Sequence, residues 1–284
     1  MWKFYRGKSQ QHSAERQKLQ KELFSFCKTV HHGFPNKPTA LAWDPKLRIA
    51  AVGTATGAIK IFGKCGVEFY GQHSTYDSMI VRLLFVPNEG KIISLCDNNS
   101  LHLWRINDTG IEEIESFVME GKVKKVSALY IDEAKKNLLV GTEGGNVYSV
   151  DLQTFSLSEN IIYQDVAMQN VPDGKKVNPG SVEAIAEQPG NPQNILIGYR
   201  RGLMILWNKQ SSTSIQTYVN NQQLESFCWD PVGKKFLSSH NDGSYVFWST
   251  ESGEPVEEPI TVYGPFPCKA ITKIQWCKSL EDTG

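Results

Sequence analysis

The sequence predicts an all-β fold: a β-propeller of about five blades plus the start of a sixth, with a short N-terminal helix. Three observations predict it. Five segments share one order of apolar strand, polar turn, second apolar strand, tight turn and third strand. The tight turns fall at Gly57, Asn99, Gly145, Gly202 and Gly243, roughly 42, 46, 57 and 41 residues apart. That is near the ~40–45-residue repeat of a four-stranded blade. Each third strand ends on an apolar residue: Phe62, Trp104, Val150, Trp207 or Trp248.

The repeating units are 39–62, 81–104, 126–150, 182–207 and 224–248, and a sixth opens at "AITKIQW", 270–276. Alternation within the strands is partial, as in "LHLW" and "SYVFW", which suits strands buried on both faces between neighbouring blades. Evenly spaced short strands argue all-β, and the repeat argues propeller over sandwich. The one long interval contains "QDVAMQNVPDGKKVNPG", 164–180, an insertion rich in turn residues. An outer fourth strand fits at 67–73, 112–119, 155–163 and 213–219. A helix is expected over 13–26, where Leu19, Leu23 and Phe26 form one apolar stripe. Ser13 is its N-cap, with Arg16 where a capping box prefers Glu. The chain therefore divides into a basic N-terminal segment with the helix (1–37), an incomplete propeller (38–276) and a truncated tail (277–284).

Composition removes several function classes. Of 284 residues, 40% are hydrophobic, enough for a substantial core. Thirty basic residues balance thirty acidic ones, so the broad positive field of many nucleic-acid binders is missing and no nucleic-acid partner is expected. Cysteines stand at 27, 65, 96, 228, 268 and 277 with no Cys-x-x-Cys spacing, which argues against a zinc site. Scattered thiols suit a reducing compartment. The first residues lack the apolar core of a signal peptide, and no run of about 18 apolar residues occurs. The expected location is cytoplasmic.

Specific chemistries fare poorly. "AVGTATGAIKIFG", 51–63, looks at first like a phosphate loop. Its spacing is Gly-x-x-x-Gly, and a β-branched strand follows instead of a helix, so no helix N-terminus faces a phosphate. A hairpin turn explains Gly57 better. Neighbouring His31 and His32 point apart on an extended chain. His-Glu-x-x-His and Gly-x-Ser-x-Gly motifs are missing. Asp44 and Asp230 precede prolines and read as turn initiators, not as a catalytic carboxylate pair. His73 and His102 read as core histidines. No catalytic residue, cofactor or metal is expected.

Basic residues cluster at Lys122, Lys124 and Lys125, at Lys135 and Lys136, at Lys175 and Lys176, and at Arg200 and Arg201. Such runs are usually solvated faces, and the alternative is contact with an acidic partner or anionic membrane. The N-terminus sets Lys3, Arg6 and Lys8 beside Trp2, Phe4 and Tyr5, a composition that reads equally as a seat at a lipid interface or as an ordinary disordered terminus. The contact candidates are thus Trp2, Lys3, Phe4, Arg6, Lys8, Arg200 and Arg201.

Several strings carry a family resemblance: "KELFSFCKTVHHGFPNKPTALAWDP", "GVEFYGQH", "ILIGYRRGLMILWN", "NQQLESFCW", "SSHNDGSYVFWS" and "YGPFPCKAITKIQW". They resemble the amino-terminal part of the lethal giant larvae family, WD-repeat tumour suppressors of the cell cortex, over 1–276. The related tomosyn branch, a SNARE regulator, shares the blade layout and "HGFP"; "YGPFPCK" and "QQLES" favour the former. The resemblance implies two consecutive seven-bladed propellers in a longer protein. It implies a non-catalytic scaffold in apical–basal polarity, cortical actin and non-muscle myosin II organisation, and exocytosis through syntaxin-type SNAREs. It also implies antagonism with the atypical protein kinase C and Par-6 complex, although the family's kinase-target loop falls beyond this chain. Five and a part blades leave two uncovered flanks, so the isolated chain is expected to be marginal or aggregation-prone, or to be a fragment without independent activity.

Overall fold

The computed structural model describes residues 14–24, 33–73, 78–119, 123–173, 176, 178–262, 264, 266 and 269–276. They form five four-stranded antiparallel sheets, each a simple meander in chain order. The first holds β1 (Pro38–Asp44), β2 (Ile49–Thr54), β3 (Ala58–Phe62) and β4 (Glu68–Gln72). The second holds β5 (Ile80–Val86), β6 (Lys91–Cys96), β7 (Ser100–Asn107) and β8 (Gly110–Val118). The third holds β9 (Val126–Ile131), β10 (Asn137–Thr142), β11 (Val147–Asp151) and β12 (Ser156–Ile162). The fourth holds β13 (Val182–Gln188), β14 (Asn191–Tyr199), β15 (Leu203–Asn208) and β16 (Thr213–Val219). The fifth holds β17 (Leu224–Trp229), β18 (Lys235–His240), β19 (Ser244–Ser249) and the short β20 (Ile260–Thr261). This is an all-β, propeller-like architecture.

The core lies between consecutive sheets. Ile59 and Ile61 of β3 meet Ile80, Ile92 and Trp104 of the second sheet. Leu95 and Leu101 then meet Leu138 and Val140 of the third. Val147 meets Ile195, Ile197 and Trp207 of the fourth, and Met204 and Tyr218 meet Phe236 and Trp248 of the fifth. Because each inner sheet packs on both faces, its second strand is buried almost throughout, as in "KIISLC" of β6 and "NLLVGT" of β10. Each such buried aliphatic or aromatic side chain contributes about 1.5–3 kcal/mol of transfer free energy.

The hairpin turns share one backbone geometry. Gly57, Asn99, Gly145, Gly202 and Gly243 have φ of +77°, +70°, +80°, +86° and +79°. At Gly202 a Cβ would also press into the carbonyl oxygen of Asn220 and lie 2.5 Å from that of Gln222, so glycine is required there for space as well as for φ.

Three features depart from the expectations above. The insertion opens with a short helix, α2 (Gln164–Ala167), and Ala167 and Val171 anchor it in the core between the third and fourth sheets. Four residues are too few to show a helical period in sequence. The N-terminal helix, α1 (Ala14–Leu23), leaves Leu19 and Leu23 58% and 71% exposed, so these two residues of its stripe are buried against none of the described residues; Ser13 and Phe26 lie outside the described residues. The sixth unit's opening, 270–276, forms no sheet strand. It lies instead along the fifth sheet, with Ile271 N–H donating to His240 O at 3.2 Å and the Trp276 ring 6.5 Å from Phe247.

The end flanks differ from the interior. Ala40 and Ala42 of β1 face the second sheet, while the alternating Leu41 and Trp43 point away and are 72% and 56% exposed. Beyond the fifth sheet, Phe266 is also exposed.

Candidate interaction face and its buried supports

One end of the sheets gathers the turns between second and third strands together with the connections that enter each first strand. The two sets interlock through the backbone. Ala55 N–H donates to Lys37 O, Asp97 N–H to Met79 O, Glu143 N–H to Lys125 O, Arg200 N–H to Ser181 O and Asn241 N–H to Gln223 O, all at 2.8–3.0 Å. The result is a rim of turns held by the framework, the usual arrangement for binding loops on a β scaffold.

Arg200 and Arg201 sit on this rim, both exposed. Arg201 Nη1 donates to Asn178 O at 3.0 Å, and Arg200 Nη1 stands 4.0 Å from Glu183 Oε1. Lys124 and Lys125 share the same end, beside Asn99 and Glu143. Lys176, in the insertion, pairs with Asp173 at 2.8 Å. Lys135 and Lys136 belong to the opposite end, in the turn between β9 and β10. The structure thus splits the basic clusters between two ends. Asp97, Glu143 and Asp242 lie in the rim turns as well, so the rim has mixed charge and recognises by pattern rather than by one-signed attraction. Trp2, Lys3, Phe4, Arg6, Lys8, Lys122, Lys175, His31 and His32 lie outside the described residues.

At the opposite end the aspartates of the turns bond backbone. Asp44 is buried and accepts from Lys46 N–H (2.9 Å), Leu47 N–H (3.0 Å) and, across to the second sheet, Asn88 N–H (2.8 Å). Burial pushes its carboxyl up, and these three N–H groups outweigh that and hold it below its ordinary value. Asp230 accepts from Lys235 N–H at 2.9 Å in the fifth sheet. The two aspartates therefore serve separate turns.

Beneath the rim, two sheets carry a buried polar ladder. In the fifth, Trp248 donates Nε1–H to Ser238 Oγ (2.7 Å), which lies 2.9 Å from His240 Nε2. Asn220, from the preceding connection, reaches the same nitrogen at 3.1 Å. In the second, Trp104 donates Nε1–H to Ser94 Oγ (2.9 Å), and Ser94 Oγ lies 3.4 Å from His73 Nε2. Two further groups join it. Cys96 Sγ is 3.3 Å from His73 Nε2, and the His102 ring centroid is 4.0 Å from that of His73. His102 Nδ1 bonds Glu113 Oε1 at 2.7 Å, and its Nε2 bonds Ser100 Oγ at 2.7 Å. Burial lowers His73 to about 4, with neighbouring His102 adding to it and Glu113 opposing. Burial likewise raises the Cys96 thiol to about 11.

Residue spacing along the chain missed this grouping, because 73, 96 and 102 converge only through strand pairing. The hairpin register was a usable signal. It sets Ser94 opposite His102 and Ile92 opposite Trp104, so Cys96, Ser94, His102 and Trp104 share one face.

A cleft of about 420 Å³ opens between the third and fourth sheets, lined by Tyr148, Glu159, Tyr163, Val166, Trp207 and Lys209. Lys209 Nζ is held by Glu187 Oε1 at 2.5 Å. No described helix is long and apolar enough to cross a membrane.

No protein-family model matches the chain. Curated relatives do. The chain is 44% identical over 282 residues to the Lethal(2) giant larvae protein of Drosophila melanogaster, covering 96% of itself and 24% of that protein. It is 41% identical over 301 residues to the human Lethal(2) giant larvae protein homolog 1, covering 97% of itself and 28% of the relative. Against the human LLGL scribble cell polarity complex component 2 it is 39% identical over 281 residues, 93% of itself and 28% of the relative. The chain spans about a quarter of the length of these relatives. That likeness runs along nearly the whole chain and agrees with its repeated sheets: the chain belongs to the lethal giant larvae family.

Proposed function

We propose that this chain is part of a non-catalytic cell-polarity scaffold that engages protein partners through its rim of turns, Arg200 and Arg201 among the contacts. The observation that carries the reading is 44% identity along 96% of the chain to a lethal giant larvae protein. The name of one relative, a scribble cell polarity complex component, supports protein partners within a polarity complex. The chemistry supports binding over catalysis. Among the described residues, the cysteine and the serines that touch histidines, Cys96, Ser94, Ser100 and Ser238, are all at most 3% exposed, beyond a substrate's reach.

The finer reading assigns the parent protein to the cell cortex, with non-muscle myosin II, syntaxin-type SNAREs and the atypical protein kinase C and Par-6 complex as partners, in cortical organisation and exocytosis. Peripheral membrane contact falls to the basic, aromatic N-terminus. The test is affinity capture of the full-length parent from polarised cells, with imaging of its cortical enrichment. Recovery of myosin II or a syntaxin with a cortical signal is expected; a diffuse protein that captures none of these partners overturns the reading. Liposome flotation with and without residues 1–12 tests the membrane contact, and unchanged binding removes it.

A further inference from the structure

We propose that His73, Cys96 and His102 form a mononuclear site for a zinc-class ion, set between the first and second sheets. Their donor atoms lie within 4.8 Å of one another, and all three residues are buried. Two ligands on a tetrahedral zinc, one sulfur and one imidazole nitrogen, stand about 3.6 Å apart. His73 Nε2 and Cys96 Sγ are already 3.3 Å apart.

The fifth sheet shows what a purely structural ladder needs. Aligned on the turns at Asn99 and Gly243, Ser94, Cys96, His102 and Trp104 match Ser238, His240, Val246 and Trp248, and His73 and Asn220 stand alike, each directly after an outer strand with its N–H donating to the turn glycine's carbonyl, Gly57 O or Gly202 O. There, one histidine completes the ladder and an aliphatic side chain fills the remaining position. The second sheet holds the same Trp–Ser pair plus three soft or borderline ligands where the fifth has one. Glu113 on His102 Nδ1 supplies the carboxylate–histidine support typical of zinc ligands, aiming Nε2 inward. His73 Nδ1 is buried with no hydrogen-bond partner among the described residues, so no bond at that nitrogen fixes the ring against an ion.

Ser100 allows the exchange. Its hydroxyl has two acceptors in reach, His102 Nε2 at 2.7 Å and Asn98 Oδ1 at 2.6 Å. When the ion takes Nε2, Ser100 keeps Asn98 and loses no partner. Cys96 binds as the thiolate, and its proton leaves to solvent. Ser94 Oγ or a water fills the fourth position. The ion would tie the end of β4 to β6 and β7, and so join two sheets directly beneath the rim.

The experiment uses the full 284-residue chain, stripped of metal, then loaded with zinc or cobalt, with metal content, cobalt absorption and thermal melting as readouts. About one zinc per chain, a sulfur-to-cobalt charge-transfer band and a higher melting temperature are expected. Cys96→Ser should abolish the band. His102→Val, which copies the fifth sheet, should remain folded by circular dichroism yet lose stoichiometric zinc. Glu113→Gln should weaken zinc about 10- to 100-fold. A folded wild-type chain that takes up less than about a tenth of an equivalent, or a folded His102→Val or Cys96→Ser that binds zinc as tightly as wild type, overturns the site.

Discussion

Gly202→Ala tests the turn geometry on which the rim depends. Gly202 has φ +86°, and an added Cβ would meet two backbone carbonyl oxygens, those of Asn220 and Gln222. Gly66 supplies the control: its φ is +91°, and a Cβ there meets nothing within 4 Å. Both substitutions force an L-residue into the left-handed region, at about 1–2 kcal/mol. Both also recover about 0.4–1 kcal/mol by restricting the unfolded chain. Those contributions cancel in the comparison. Only Gly202→Ala adds overpacking against groups that cannot rotate aside, about 1–3 kcal/mol. The expected total is about 2–4 kcal/mol for Gly202→Ala and about 1 kcal/mol for Gly66→Ala. Urea denaturation of both variants measures the difference. In melting temperature, Gly202→Ala should lose roughly 5–15 °C. Equal destabilisation of the two variants within about 0.5 kcal/mol would refute the crowding argument.

The other predictions concern the buried polar groups. Ser238→Ala should cost about 1–3 kcal/mol by stranding the Trp248 indole N–H, and combining it with Trp248→Phe should show a coupling of about 0.5–3 kcal/mol in a double-mutant cycle by chemical denaturation. Burial holds His240 neutral and below its ordinary value, so the unfolded chain takes up a proton first as pH falls through about 6.5. Stability should therefore decline on acidification through that pH, and His240→Asn should reduce the slope between pH 7.5 and pH 5.5 in denaturation curves taken at about those two values. Asp44→Asn places an amide donor against backbone donors and should lower the denaturation midpoint by the equivalent of about 1–3 kcal/mol.

Much of the fold was legible because each unit repeats its own punctuation. The outer strand read at 213–219 is β16 residue for residue, and the other outer strands lie within two residues of β4, β8 and β12 at either end. Strand after strand, the apolar pattern and the small turn pointed the same way. Where the reading fell short, the physics was non-local. The four-residue α2 is fixed by Ala167 and Val171 docking between two sheets, which no local propensity encodes. The stripe of α1 has helical spacing, but spacing alone does not supply a surface to bury it. His73, Cys96 and His102 are far apart in the chain and carry none of the short spacings by which metal loops are recognised. Their meeting depends on the pairing of β6 with β7 and on the end of β4 reaching the neighbouring sheet. The basic clusters looked alike in sequence, and only the alternation of turns divided Arg200 and Arg201 from Lys135 and Lys136.

That division gives the most direct test of the scaffold account. Affinity capture of partners by the full-length parent can be compared for Arg200→Glu with Arg201→Glu, at the rim, and Lys135→Glu with Lys136→Glu, at the opposite end. Thermal melting of each variant serves as the folding control. The account predicts that the rim reversal lowers partner capture about tenfold, the equivalent of 1.4 kcal/mol, while the opposite end leaves it unchanged. Undiminished capture by a folded rim variant, or equal loss from both ends, would contradict it.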